Sequence, residues 1–277
     1  MLLLLVRHAV TAATGSRLSG WLPGFHLSEE GIRQGEAVAS RLADLPVKAI
    51  YSSPLERCRE TAELIAAHHR PGVTVMDELG EIRYGDWQGR SFKVLYKTKA
   101  WVDLQQRPAD FRFPGGETLR EAQTRGVGAI ESLRPKHKSD LIVVASHADM
   151  IRLIVAAYLG LSLDLYQRMS IAPASVTALL LGDRIPHLLK LGDSGSLEDL
   201  KMRLAKGPTD AAKRKASAKA ARPASAADGD GRSPVAYGGG IKPADGATRA
   251  RSAGRAGAQS PNGATRTGAG GPKSPKR

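Results

Sequence analysis

The sequence has 277 residues and a formal net charge of +14, and this charge is concentrated towards one end. Residues 1–200 carry a net charge of +1, whereas residues 201–277 carry +13. The single cysteine, Cys58, excludes an intrachain disulfide and agrees with a reducing compartment. No apolar run approaches the ~20 residues that span a bilayer, and the opening apolar run lacks the basic flank of a signal peptide. We therefore expect a soluble, cytoplasmic protein that binds no membrane.

The basic segment 205–277 is rich in Ala, Gly, Pro, Ser, Lys and Arg, and Tyr237 is its one aromatic residue. Such a segment has too little apolar surface to offset the entropy of ordering it, so we predict a disordered tail after a connector at 196–204. The tail could bind nucleic acid or another acidic surface weakly, or it could simply add solubility. Dispersed charges without interleaved aromatic residues favour the second interpretation.

Residues 1–195 alternate between short apolar runs, typical of buried strands, and longer amphipathic segments, typical of helices. Strands are predicted at 1–6, 47–51, 73–76, 141–145, 175–181 and 186–191. Helices are predicted at 27–45, 54–69, 90–106 and 118–133, and from His147 to Gly160. This alternation predicts one α/β domain of three layers, α/β/α, with a mostly parallel central sheet.

Two serines are predicted to begin helices. Ser28 is followed by two glutamates and is a candidate N-cap. Ser53 with Glu56 has the spacing of a capping box, and Pro54 suits the first helical position.

Basic side chains follow several predicted strands. Arg7 and His8 end the first strand, Arg57 lies in the first turn after the second, and His147 follows the apolar run LIVVA. Because ligands bind at the carboxyl ends of strands in open α/β sheets, we expect these groups to meet at one edge. Arginines and helix N-termini both favour a phosphate there.

Six motifs then occur along the domain in a fixed order. They are LVRHAVTAATG at 5–15, LSEEG at 27–31, YSSPLERCRETA at 51–62, GEIRYGDWQG at 80–89, FPGGET at 113–118 and ASHADMIR at 145–152. Together they resemble the histidine phosphatase superfamily, whose fold is phosphoglycerate-mutase-like. The resemblance implies a small phosphorylated metabolite as substrate, with no metal or organic cofactor.

The resemblance also implies residue roles. His8 would be the nucleophile that forms a phosphohistidine, while Arg7, Arg57 and His147 would bind the phosphoryl group. Glu81 occupies the position of the general acid, and such an acid needs a raised pKa near neutral pH. Asp86 is the local competitor, but its position between Gly85 and Trp87 predicts a turn.

Further residues match more loosely. Thr14 stands where relatives place a polar side chain on the phosphate, and Thr11 is expected to brace that loop. Ser19 and Gly20 resemble the segment that lines the substrate mouth. Three more candidates for substrate contact are Arg83, Gly116 and Glu117, although Glu117 could instead cap a helix.

Two positions depart from the motifs. Ala9 and Ala148 stand where the family usually has glycine after the two histidines, and glycine permits a positive φ. Since alanine is compatible with ordinary φ values, we expect activity to survive both changes.

Three functions remain open at this point. A phosphomonoester hydrolase is favoured over a phosphoglycerate-type mutase because only 34 positions separate Glu81 from Gly115, whereas mutase relatives carry a longer insertion there that closes over the substrate. The third is a non-catalytic phosphate-binding scaffold whose tail tethers nucleic acid. Ala9 and Ala148 favour it, but Glu81 argues against it because pure binding needs no proton donor. The spacing of the histidines disfavours a metal site. Cys58 lacks the loop of the cysteine phosphatases, so we expect it to be a small packed side chain and not a nucleophile.

Overall fold

A computed structural model of the chain describes residues 1–182 and 185–195. The predicted connector 196–204 and the predicted disordered, basic tail 205–277 lie outside the described residues. The strands are β1 (Leu2–Arg7), β2 (Val47–Ser52), β3 (Val73–Val75), β4 (Leu141–Ser146), β5 (Val176–Leu180) and β6 (His187–Asp193). The helices are α1 (Glu29–Leu42), α2 (Glu56–Ala66), α3 (Phe92–Leu95), α4 (Lys99–Gln106), α5 (Leu119–Leu133) and α6 (Ala148–Leu159).

The strands form one sheet in the order β3-β2-β4-β1-β5-β6. β1 pairs in parallel with β4, with Arg7 opposite Ser146, and pairs antiparallel with β5. β2 pairs in parallel with both β3 and β4. The mostly parallel sheet is therefore confirmed, and the carboxyl ends of β1, β2 and β4 lie side by side.

Alternate residues of each strand enter different cores, because successive side chains of a strand point to opposite faces. Leu4 and Val6 pack with α1 and α2 on one face. Leu3 and Leu5 pack with α5 and α6 on the other. All six residues of β4 are buried, as expected for a strand covered on both sides. The three-layer α/β/α prediction is confirmed.

The helix predicted at 90–106 is wrong as a single element. Two helices occupy that stretch. α3 ends at Leu95, and Thr98 caps α4, because its side chain accepts a hydrogen bond from the Trp101 amide. Ser91 caps α3 in the same way through Lys93. Side-chain acceptors of this kind satisfy the first amides of a new helix.

The capping box predicted at Ser53 is also wrong. α2 begins at Glu56, and its N-cap residue Leu55 makes no side-chain cap. The Ser53 hydroxyl instead bonds to His147. The N-cap predicted at Ser28 is correct, since its side chain accepts from the Gly31 amide. Gly160 ends α6 in the left-handed conformation, at φ 65°, as the sequence predicts.

One glycine fixes the loop that follows β3. Gly85 has a φ of 53°, and a Cβ atom there would come within 2.1 Å of the Pro114 carbonyl oxygen. Only glycine allows this approach, which ties the segment after Glu81 to the turn before α5. No helix among residues 1–182 and 185–195 is long and apolar enough to cross a membrane.

Candidate active site

His8 directly follows β1 and is held by backbone groups of β4 and of its own loop. Its amide donates to the Ser146 carbonyl at 2.9 Å. Its ring Nδ1 lies 2.8 Å from the carbonyl oxygen of Ala9. Because a carbonyl can only accept, Nδ1 carries the proton and Nε2 keeps its lone pair. Burial, followed by the charges of Arg57 and Arg7, lowers the pKa of His8 well below its ordinary value, so the ring is neutral at physiological pH.

His147 follows β4 and is fully buried. Its Nε2 lies 2.8 Å from the Ser53 hydroxyl oxygen, and its Nδ1 lies 3.2 Å from Nη2 of Arg57. A guanidinium only donates, so Nδ1 accepts and Nε2 donates to Ser53. Burial and then the Arg57 charge lower the pKa of His147 well below its ordinary value. The His8 and His147 rings lie edge to face, with centroids 5.3 Å apart.

Two arginines lie beside these histidines, Arg57 buried and Arg7 half-buried. Arg57 is 2% exposed and donates from Nη2 to the Gly20 carbonyl at 3.0 Å. Arg7 donates from Nη1 to the Ile171 carbonyl at 2.7 Å. Within the described part of the chain, Nη1 of Arg57 and Nε of Arg7 are buried without a hydrogen-bond partner. Buried donors without partners are costly, and an anion satisfies them.

Glu81 lies on the same cavity. Its Oε1 accepts from the Ile82 amide at 3.0 Å, and its Oε2 lies 3.7 Å from Nδ1 of His147. Burial and then the Asp149 carboxylate raise the pKa of Glu81 to about 7, against the opposing charge of Arg57. A carboxyl group with that pKa can both give and take a proton near neutral pH.

The Glu81 backbone is fixed by two side chains for which the sequence predicted no such role. Nε1 of Trp21 donates to the Glu81 carbonyl at 2.6 Å. Arg125, on α5, donates to the carbonyls of Glu78, Gly80 and Glu81 at 2.7, 3.0 and 3.1 Å. These bonds hold the loop at the cavity.

A cavity of about 230 Å³ joins these groups. Of the predicted site residues, it is lined by Arg7, His8, Thr14, Ser19, Gly20, Arg57 and Glu81. Thr11 also lines it, and its amide donates to the Thr14 hydroxyl at 2.9 Å, in accordance with the predicted bracing of that loop. His147 lies directly behind, where it contacts Arg57.

Three predicted site residues lie elsewhere. Arg83, Gly116 and Glu117 do not line this cavity. Glu117 accepts from the Arg83 amide at 2.8 Å and from Nη2 of Arg125 at 2.6 Å. The Arg83 guanidinium lies over the Trp21 ring, 4.3 Å from its centroid. These contacts brace the Glu81 loop from outside.

Several cavity residues were not singled out as site residues by the sequence, and three of them are polar and lie together. Tyr84, Asp149 and Arg152 line the wall near Glu81. The Tyr84 hydroxyl donates to Asp149 at 2.9 Å, and Nη1 of Arg152 donates to it at 2.7 Å. Asp149 and Arg152 stand three positions apart on α6, directly after His147, so their helical spacing was a usable signal. Ser53 was also missed, although it follows β2 as His147 follows β4.

The two alanines at glycine positions are accommodated without strain. Among the described residues other than glycine, only Ala174 has a positive φ, so Ala9 and Ala148 adopt ordinary backbone angles. Cys58 is fully buried, and burial raises the pKa of its thiol to about 12; this agrees with the expected packing role. In residues 1–182 and 185–195 no three His, Cys, Asp or Glu side chains are grouped to hold a metal ion.

The model of the histidine phosphatase superfamily (branch 1) matches residues 3–194. The chain belongs to the histidine phosphatase superfamily. It is 32% identical to phosphoserine phosphatase 1 of Hydrogenobacter thermophilus over 195 residues, which cover 68% of this chain and 90% of that protein. It is 29% identical to a probable phosphoglycerate mutase of Escherichia coli over 175 residues, or 62% and 81% of the two chains.

Two solved structures resemble this member of the superfamily. The YhfR protein of Bacillus stearothermophilus aligns with a TM-score of 0.66 at 26% identity, over 69% of this chain and 96% of that one. A mycobacterial glucosyl-3-phosphoglycerate phosphatase, solved with VO3, aligns with a TM-score of 0.64 at 26% identity, over 69% and 98%. The chain is therefore a phosphatase or a phosphomutase.

Proposed function

We propose that this histidine phosphatase is a phosphomonoester hydrolase in which His8 is phosphorylated during turnover. The observation that carries the proposal is the 2.8 Å bond between Nδ1 of His8 and the Ala9 carbonyl. It leaves the lone pair of Nε2 free in a ring that is neutral at physiological pH. A neutral, oriented imidazole is a competent nucleophile.

Arg7, Arg57 and His147 would hold the phosphoryl oxygens. The unpartnered buried nitrogens of Arg7 and Arg57 supply fixed charge that needs no reorganisation as negative charge spreads over the equatorial oxygens. A phosphate dianion beside His147 would oppose the effect of burial on its pKa and favour a proton on Nδ1. That proton would then bond to a phosphoryl oxygen.

In the first step the lone pair of His8 Nε2 attacks phosphorus while the bond between phosphorus and the ester oxygen breaks. Glu81 gives its proton to that oxygen, so a neutral alcohol leaves. In the second step the Glu81 carboxylate takes a proton from water, whose oxygen attacks phosphorus. The P–N bond breaks, its electrons return to Nε2, and inorganic phosphate leaves.

Hydrolysis is favoured over the mutase reaction by the segment between Glu81 and α5. Its helical parts are α3 with four residues, α4 with eight and two single turns. A mutase must keep a bisphosphate from water between its two transfers, and this segment offers little chain to close over one. The likeness to a probable phosphoglycerate mutase makes mutase activity the second candidate.

The test compares wild type with His8→Ala, and with His187→Ala as a control on the exposed strand β6. Each is assayed with EDTA on a panel that includes phosphoserine and 3-phosphoglycerate, which the names of relatives suggest. We expect wild type and His187→Ala to release phosphate and His8→Ala to release none. Quenching in alkaline detergent should trap, in the first two proteins, a phosphoenzyme that is stable to base and labile to acid.

Equal activity of His8→Ala and wild type would refute the assignment of the nucleophile. Conversion of 3-phosphoglycerate to its isomer without phosphate release, in the presence of a bisphosphate primer, would establish the mutase instead.

A further inference from the structure

A second cavity of about 310 Å³ adjoins the phosphate cavity. Five residues line both cavities, namely Leu18, Tyr84, Phe92, Asp149 and Arg152. Glu81 lines the first cavity beside this shared wall. The alcohol that departs from phosphorus next to Glu81 therefore has the second cavity as its neighbour.

The other walls of the second cavity are largely aromatic. They include Trp87, Trp101, Leu104 and Phe113. Trp87 stacks on Trp101 with ring centroids 5.9 Å apart and meets the Phe113 ring edge-on at 5.4 Å. Trp87, Leu104 and Phe113 are each under 5% exposed. Packed rings of this kind form a preformed apolar surface.

The size of the cavity suits a ring. A dry apolar cavity of about 150 Å³ is enough to bind benzene, and this cavity is about twice that volume. An aromatic ring placed there would stack on, or meet edge-on, the indoles of Trp87 and Trp101.

The polar groups of the shared wall are already paired with one another. The Asp149 carboxylate accepts from Tyr84 and from Nη1 of Arg152, and Nε of Arg152 donates to the Met169 carbonyl at 2.8 Å. Because Asp149 and Arg152 neutralise each other, this wall offers no net charge to a charged leaving group. A charged group would lose its hydration in the aromatic cavity without compensation.

We propose that the second cavity is the leaving-group subsite, and that it selects phosphomonoesters of alcohols bearing an uncharged aromatic or heteroaromatic ring. The inference rests on the proposed function, because the phosphate must first occupy the cavity that contains His8. It narrows the substrate class to esters whose alcohol carries more apolar surface than serine or glycerate does.

The experiment compares propyl phosphate, 3-phenylpropyl phosphate and phosphoserine as substrates of the full chain. The first two alcohols have similar acidity, so a rate difference between them reports binding of the ring rather than ease of departure. We expect kcat/KM for 3-phenylpropyl phosphate to exceed that for each of the other esters at least tenfold. Equal values for the two alkyl esters, or a tenfold preference for phosphoserine, would overturn the inference.

A pair of variants on α4 then locates the effect. Gln105 lines the second cavity and Gln106 does not, and both side chains are exposed. Gln105→Trp should fill the mouth of the cavity and reduce the ratio of the two alkyl-ester values towards one. Gln106→Trp should keep the wild-type ratio. Loss of the ratio in both variants, or in neither, would place the ring outside this cavity.

The outcomes distinguish failure of the subsite proposal from failure of the proposed hydrolase function. Hydrolysis of all three esters at similar kcat/KM would support the proposed hydrolase function and refute the proposed leaving-group subsite. No phosphate release from any ester would overturn both together.

Discussion

The hydroxyl oxygen of Ser53 lies 2.8 Å from Nε2 of His147, and both side chains are fully buried. The contact joins the end of β2 to the end of β4 across the sheet edge. It holds the His147 ring in place, while the Arg57 guanidinium, which can only donate, makes Nδ1 the acceptor and leaves the proton on Nε2. Nδ1 therefore faces Arg57 and Glu81. A serine that sequence pattern assigns to a helix cap therefore orients a phosphate-binding histidine.

Ser53→Ala should lower kcat/KM about tenfold, because His147 loses the partner that holds its ring while the nucleophile stays in place. One buried hydrogen bond of this kind is worth roughly 1–2 kcal/mol, which corresponds to that factor. The measurement is steady-state kinetics together with inhibition by inorganic phosphate, which should weaken in parallel. Ser28→Ala is the control: it removes the N-cap of α1 and should cost about 1 kcal/mol of stability at unchanged kcat/KM.

The dependence of kcat/KM on pH should be bell-shaped. Above about pH 7 the rate should fall because Glu81, whose pKa is raised to about 7, loses the proton that the leaving alcohol needs. Below about pH 6 it should fall because the ester becomes a monoanion. Glu81→Gln should reduce the rate on alkyl esters by roughly 10²–10⁴-fold and abolish the alkaline limb. Persistence of that limb in the variant would assign it to another group.

Asp149→Asn should move the alkaline limb to lower pH. The Asp149 charge is, after burial, the second cause of the raised pKa of Glu81. Removing it favours the charged carboxylate and so lowers that pKa. Asp86→Asn provides the comparison, because Asp86 is exposed on the neighbouring turn and is not among the main causes of this shift. A displacement of the limb in Asp86→Asn equal to that in Asp149→Asn would contradict the assignment.

Arg125→Met should destabilise the fold by roughly 3 kcal/mol in urea unfolding, since it leaves the mostly buried Glu117 carboxylate without its ion pair. It should also lower kcat, because three carbonyls of the Glu81 loop lose their donor. Arg112→Met is the control. It breaks the exposed ion pair between Arg112 and Glu121, a residue of α5 like Arg125, and should reduce stability by less than about 1 kcal/mol. Similar costs for the two variants would mean that Arg125 does not fix the loop.

Ala174→Gly should stabilise the protein by up to about 1 kcal/mol. Ala174 has a φ of 53°, a left-handed conformation that costs a residue with a Cβ atom about 1–2 kcal/mol. Glycine removes this strain, but it loses more conformational entropy on folding than alanine, which offsets part of the stabilisation. Ala172→Gly, two residues earlier and without a positive φ, should be destabilising instead. Thermal unfolding of both variants decides the point, and a lower midpoint for Ala174→Gly would refute it.

The sequence predicts the central strands of the sheet better than the helices and loops around its edge. The strand β4 was predictable because LIVVA is continuously apolar, and its position placed His147 correctly beside Arg57. The break between α3 and α4 was not predictable, because it depends on a hydrogen bond from the Trp101 amide to the Thr98 hydroxyl, which competes with hydrogen bonds to water. Arg83, Gly116 and Glu117 were assigned to the substrate because they neighbour Glu81 along the chain. Instead, Arg83 lies over the ring of Trp21, which is distant in sequence. Glu117 pairs with Arg125 on α5, and the Gly116 carbonyl accepts from Arg112; the sequence pattern indicated none of these pairings.

The cavity walls have two different origins in the chain. His8 and His147 follow strands whose backbones are hydrogen-bonded on both sides, whereas much of the aromatic cavity belongs to the short helices α3 and α4 and the turns around them. Exchanging residues on those helices disturbs no strand pairing. Natural variation or laboratory selection could therefore replace one substrate preference with another in this scaffold while phosphoryl transfer itself is inherited unchanged.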